Sequence, residues 1–379
     1  MVGIDEDVIT DFSYQVSNRF EAINTRYIQL MGEHIRDIGE LTATDIHRTE
    51  QMVRLSANCE QIKRELALQS GKSVAEIDQL YDELLNTSYK DSQYLYAIRN
   101  NMPLAQAYNQ LQAYTQAMKN VTMATFANIA KTTVIDIYYQ NLVDDAVMLV
   151  TQGVSDYKSA MRSNLKQAAT GARVQYKSGY TRRLDSAIRM NILDGARQLN
   201  QGLRDLEGQQ FGADGVEVSA HALCAPDHLD IEGEQFTLRD FDRANNMLAR
   251  QIGTCNCQHT YFPIILGISK PAYSREELQR LKDNSTQEIT IDGKTKSKYE
   301  WSQVCRKLET EMRYTKDQHI IGSAAGDTKL VKDCNNRLNK LRANYRKVCN
   351  ETGLTKHYDR AYVPGFSGRQ AQPKQVNFT

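Results

Sequence analysis

The chain has 379 residues, 41% of them hydrophobic and 25% charged, which excludes a disordered polyelectrolyte and leaves room for two or three domains. No apolar run approaches the roughly 18 residues that would span a bilayer, so no membrane partner is expected. The net charge of +1 hides a polarity: residues 1–50 hold ten acids and four bases, whereas residues 294–349 hold fourteen bases and six acids.

Such a chain suits a basic surface at one end and an anionic one, such as nucleic acid, at the other; solvated helix faces account for the same numbers. The opening MVGIDEDVITDF is acidic and lacks a basic region followed by an apolar core, so no secretory leader is expected. Seven cysteines, an odd number without a leader, point to reduced thiols in a cytoplasm and not to a disulfide framework.

From the start to Gln210 the only proline is Pro103, and apolar residues recur at helical spacing. Phe20, Ile23, Tyr27, Leu30, Met31, Ile35 and Ile38 advance by threes and fours, which places them on one helix face. Ser73 followed by Glu76 has the form of a capping box and predicts the start of a helix carrying Ile77, Leu80, Tyr81, Leu84 and Leu85. A more apolar helical stretch, Val121 to Val150, is expected deeper in the fold. Residues 173–201 bring a cationic cluster in which Arg182, Arg183, Arg189 and Arg197 are candidates for phosphate contact on a helix. Aromatic residues are too sparse there for base stacking, so sequence-specific reading is not expected.

The texture then changes. Gly202, Gly208, Gly212 and Gly215 interrupt the helical pattern, and Val216 and Val218 alternate with polar neighbours as in a half-buried strand. Pro226-Asp227 and Glu232-Gly233-Glu234 read as turns around a further short strand at 235–238. A helix over 241–252, a buried strand over 261–266 and a capped helix from Ser274 follow. Asp292-Gly293 inside EITIDGKTK predicts a hairpin with a two-residue turn. From Tyr299 to about Cys349 the chain is helical and basic, broken near Gly322–Gly326, and Lys332, Arg337, Lys340, Arg342, Arg346 and Lys347 join the DNA-contact candidates. From Tyr362 onward the composition predicts an extended tail, disordered or laid along a neighbour.

Chemistry concentrates between Val216 and Tyr273, which holds His221, His228, His259, Cys224, Cys255 and Cys257. Cys224 and His228, four apart, can be presented to one point by a turn; with Cys257 and His259 they form a candidate zinc set of sulfur and nitrogen donors. The spacing departs from the usual pairs separated by two to four residues. The simpler reading is a locked, loop-rich unit with no cofactor. In it, small cysteines fill the core and histidines bond to backbone or carboxylates, and His221, Pro226, Gly233, Cys255, Pro263 and Gly267 complete the packing. A third reading draws Cys257 as a nucleophile, His228 as its base and Asp230 as the orienting group. Neither a nucleophile elbow nor a Walker loop, dinucleotide fingerprint or H-E-x-x-H accompanies it, so a non-enzyme is expected.

VEVSAHALCAPDHLDIEGEQF and CNCQHTYFPIILGISKPAYSREEL resemble the minor capsid proteins of tailed bacteriophages known as minor capsid protein 2, a group distantly similar to Mu F-like head morphogenesis proteins. Ser219, His221, Pro226, His228, Gly233, Cys257, His259, Pro263 and Gly267 carry the resemblance, which spans about residues 170 to 350. Ala225 and Gln258 stand where family members often have basic residues.

The resemblance implies a virion component inside the capsid at the portal vertex, made in the host bacterial cytoplasm. It would touch double-stranded DNA non-specifically during head assembly, packaging or genome ejection. Its partners would be the portal protein and, secondarily, the major capsid protein or scaffold. The alternative is a cysteine/histidine hydrolase or zinc-stabilised binding module acting in head maturation.

The expected fold is α+β and mostly helical. Residues 1–210 form a helical partner-binding region, 211–296 a central α+β module with a hairpin, 297–361 a basic helical region and 362–379 the tail.

Overall fold

Two long helices occupy the first hundred residues of the computed structural model, which describes residues 6–40, 45–99, 104–134, 145, 148–149, 157–254 and 257–376. Helix α1 spans Glu6–Glu40, α2 spans Asp45–Arg99 and α3 spans Leu104–Thr132. The α1 stripe expected from its spacing is buried: Phe20, Tyr27, Met31, Ile35 and Ile38 all face the core. The architecture is mostly helical α+β, as expected.

Helix α2 runs straight through Ser73, so no helix begins there. Cys59, Ile62 and Leu66 continue the buried stripe of Ile77, Leu80, Tyr81 and Leu84, and an unbroken helix keeps both halves on one core-facing side. Ser73 is buried and accepts from Gln69 at 3.3 Å, while Glu76 pairs with Arg19 of α1.

The Val121–Val150 stretch is also not one helix. Helix α3 ends at Thr132, Val121 is exposed, and strand β1 (Thr133–Val134) follows; most of the remainder lies outside the described residues. Two short helices, α4 (Tyr157–Ala160) and α5 (Arg162–Ala168), precede a hairpin of β2 (Arg173–Gln175) and β3 (Thr181–Arg183), which pairs antiparallel with β1. Arg182 and Arg183 therefore lie on a strand, not on the expected helix.

Helix α6 (Leu184–Phe211) passes through Gly202 and Gly208. Gly208 permits close approach instead of breaking the helix, since a Cβ there would sit 2.4 Å from the Pro263 ring. The stop comes at Gly212, whose φ of 74° provides the left-handed cap.

The central module is a three-stranded antiparallel sheet in the order β5-β4-β6. Strand β4 (Gly215–Val218) lies between β5 (Gln235–Thr237) and β6 (Tyr261–Ile264). As the central strand β4 is buried at all four positions, not half-buried. Helix α7 is Leu238–Met247, capped by Thr237, and α8 is Arg275–Thr286, capped by Ser274 as expected. Strands β7 (Glu288–Ile291) and β8 (Lys294–Ser297) form the hairpin, with Asp292 and Gly293 at φ 52° and 73°. Helices α9 (Lys298–Ala324) and α10 (Thr328–Thr352) close the chain as a helical pair broken near Gly326.

Among the described residues, two apolar clusters hold this together. A small one lies in the module, around Val216, Val218, Ile231, Phe241, Ile252 and Cys257. The large one joins α1, α2, α3 and α6 to α9 and α10, so helices from both sides of the module share one core. Residues 362–376 lie against the chain's own helices: Val363 and Phe366 are buried in that core, and the Val376 N–H donates to Gln15 at 2.6 Å.

Candidate functional site

The turn Pro226–His228 and the loop ahead of β6 bring His228, Cys257 and His259 together. His228 Nδ1 and His259 Nδ1 are 3.2 Å apart; Cys257 Sγ lies 3.6 Å from the first and 3.4 Å from the second. All three residues are buried. The far nitrogen of each ring has its own partner. His228 Nε2 donates to the Arg250 carbonyl at 2.8 Å, and His259 Nε2 faces Cys224 Sγ at 3.5 Å and Glu232 at 3.8 Å. Glu232 is fixed in turn by the His221 backbone N–H at 2.6 Å, and the His221 ring stacks on His259 with centroids 4.1 Å apart.

These contacts set the electrostatics. Burial alone would push the Cys257 thiol up, but its contacts with His228 and His259 outweigh that and bring it down to about 5. Burial works against charge on His259 as well, yet Cys224, Cys257 and Glu232 carry it up to about 11. Cys224, without two imidazoles, is raised by burial. Leu223, just before it, holds a left-handed φ of 64°, a conformation that costs a non-glycine residue about 1–2 kcal/mol.

The four proposed zinc ligands are therefore not equivalent. His228, Cys257 and His259 converge, whereas Cys224 stands behind His259 on its other nitrogen. The drawn triad also needs correction. Asp230 is exposed and pairs with Lys282 at 3.2 Å, leaving the Arg250 carbonyl to orient His228. Among the supporting residues, Gly233 (φ 72°) is buried against Leu278, and Pro263 pairs with Val216 across the sheet. Pro226 and Gly267 are exposed turn residues, not core, because each sits where the chain reverses at the surface. Cys255 lies outside the described residues.

Nor is the cluster a closed knot. It borders a cavity of about 700 Å3 lined by Arg189, Arg197, Arg250, Lys298, Arg306, Arg313 and Arg360, with Glu309 the single carboxylate on its wall among the described residues. Arg189 lies over the Tyr14 ring at 4.7 Å, and Lys298 donates to Asn284 at 2.8 Å. Arg250, Lys298, Arg306, Arg313 and Arg360 were not singled out by the sequence. Only the basic bias of 294–349 hinted at some of them, and which cations turn inward depends on how α9 packs beside the module.

The remaining cationic candidates separate by burial. Arg183 is only 6% exposed and bonded to Glu21, Asp185 and Asp317, so it belongs to the core and is not available to phosphate. Arg189 and Arg197 face the cavity, and Arg182 packs on the Tyr180 ring at 5.7 Å. On α10, Lys332, Arg337, Lys340, Arg346 and Lys347 are exposed and Arg342 is half-buried.

The family model for phage minor capsid protein 2 matches residues 4–350. The chain belongs to this family. The match takes in the N-terminal helices as well as the stretch from about 170 on which the resemblance rested. No curated protein and no solved structure matches the chain. Membership makes this minor capsid protein a structural component of a phage virion, and the match contains the Cys/His cluster and all of the shared helical core up to residue 350.

Proposed function

We propose that this minor capsid protein sits inside the phage head at the portal vertex and contacts double-stranded DNA through phosphates during head assembly, packaging or genome ejection. The observation that carries the DNA contact is the outer face of α10. The buried stripe of that helix is Leu330, Cys334, Leu338, Tyr345 and Val348. The helical period puts Lys329, Lys332, Lys340 and Lys347 on the opposite side, with Arg346 at its margin. Asp333 and Glu351 are the only acids on the helix. Lys332, Lys340 and Arg346 have no carboxylate partner among the described residues, whereas Arg337 and Lys347 are paired with Glu311 and Asp292.

A row of point charges on a rigid helix favours any DNA backbone and reads no bases. The portal protein is the first expected partner, with the major capsid protein or scaffold next. No helix among the described residues is long and apolar enough to cross a membrane.

Co-expression with the portal protein of the same phage tests the placement. A stable complex, and the chain in purified virions, is expected; a protein absent from both would overturn the proposal. For the DNA arm, Lys332→Glu, Lys340→Glu and Arg346→Glu together should abolish salt-sensitive retention of DNA of any sequence. Unchanged retention would remove α10 from the interface.

A further inference from the structure

We propose that His228, Cys257 and His259 bind a zinc ion through His228 Nδ1, Cys257 Sγ and His259 Nδ1, leaving a fourth position open to the cation-lined cavity for an oxygen anion. The separations fit the ion. Zinc takes nitrogen at about 2.0–2.1 Å and sulfur at about 2.3 Å, so tetrahedral geometry demands N···N of about 3.3–3.4 Å and N···S of about 3.5–3.6 Å. The three donor atoms stand at 3.2, 3.6 and 3.4 Å.

Hydrogen-bond bookkeeping points the same way. The Arg250 carbonyl can only accept, so His228 carries a proton on Nε2, and its neutral form turns a bare Nδ1 lone pair toward Cys257 and His259. His259 Nε2 faces Glu232 and Cys224, which leaves the Nδ1 lone pair of its neutral form aimed at the same point. Metal-bound imidazoles characteristically give their second N–H to a carbonyl or carboxylate; His228 gives its own to the Arg250 carbonyl, while His259 Nε2 meets Cys224 Sγ at 3.5 Å with the Glu232 carboxylate 3.8 Å away.

Cys224 cannot complete the tetrahedron. Its sulfur contacts the nitrogen of His259 that points away from the other donors. The alternative trio of His221, Glu232 and His259 would use that same outer nitrogen, and His221 Nε2 has no hydrogen-bond partner among the described residues. That trio brings no thiolate, however, its His259–Glu232 separation of 3.8 Å is too wide for one tetrahedral zinc, and Glu232 is already engaged by the His221 backbone N–H. The missing ligand comes from the cavity, where Arg189, Arg250 and Lys298 favour a negative oxygen.

The test uses the full-length chain. Elemental analysis after purification should give about one zinc per chain. Chelated protein reloaded with Co2+ should show a thiolate-to-cobalt charge-transfer band. Cys257→Ser should lose the band and Cys224→Ser should keep it, with circular dichroism confirming that both fold. Inorganic phosphate should shift the cobalt d–d bands through the open position. Wild-type protein that takes up neither metal overturns the site. A band lost equally in Cys224→Ser overturns the three-ligand assignment, and a spectrum indifferent to phosphate overturns the open position.

Discussion

The Arg183 guanidinium donates to the Glu21 carboxylate at 2.5 Å inside the core, tying the start of α6 to α1. The same guanidinium reaches Asp317 of α9 at 2.6 Å and Asp185 at 3.1 Å, and Arg313 meets Asp185 at 2.5 Å. Two cations thus face three carboxylates away from water. Removing one partner from such a cluster leaves uncompensated buried charge, which costs about 3–5 kcal/mol. Arg183→Met should therefore lower unfolding stability by that order in denaturant titrations. A loss below about 1 kcal/mol, the range of exposed pairs, would mean that the cluster is solvated.

The excess negative charge has a pH signature. Burial drives the Glu21 carboxyl from 4.5 up to about 8, against the pull of Arg183. Because the folded value lies above the unfolded one, protonated Glu21 contributes its full stability below 4.5, and that contribution is lost as pH rises through about 8. Asp185 runs the other way. Burial would raise it, but Arg183 and Arg313 hold it well below the usual range, so its contribution is present at neutral pH and lost in acid. The melting temperature of Glu21→Gln minus that of wild type should increase between pH 5 and pH 9, and a difference that stays flat would contradict this assignment.

Two glycines should respond oppositely to alanine. At Gly71, in α2, an added Cβ meets nothing within 4 Å, so Gly71→Ala should stabilise by about 0.5–1 kcal/mol through helix propensity. At Gly208 the new methyl would press on the Pro263 ring, which strand β6 holds in place, and overpacking should cost about 1–3 kcal/mol. Thermal unfolding of the two variants side by side distinguishes them by sign.

For the α10 face, each phosphate contact removed should reduce the slope of log K against log salt by about 0.9. Lys332→Gln, Lys340→Gln and Arg346→Gln should each do so, and Arg337→Gln, whose charge is already met by Glu311, should do less. Fluorescence anisotropy on two unrelated duplexes measures this, and a variant affecting only one duplex would point to base reading instead.

What the sequence by itself determined is what local chemistry dictates. The α1 stripe, the Ser274 cap, the Asp292-Gly293 turn, the break near Gly326 and the mostly helical class all follow from periodicity, capping or backbone preference within a few residues. Family membership was legible for the same reason, since the module's short motifs are contiguous.

Tertiary structure decided what depends on distant partners. Ser73 looks like a cap, but the buried residues on either side of it, Cys59 to Leu66 and Ile77 to Leu84, share one core-facing side and keep α2 one helix. Arg183 looks like a surface cation, but Glu21 and Asp317, far away in sequence, draw it inside. Cys224 has a suitable donor and spacing, and only the orientation of the His259 ring shows that it lies behind that ring, away from the point where three donors meet. Burial, pairing and ligand direction are properties of the packed chain, because electrostatic and steric forces act through space and take no account of sequence separation.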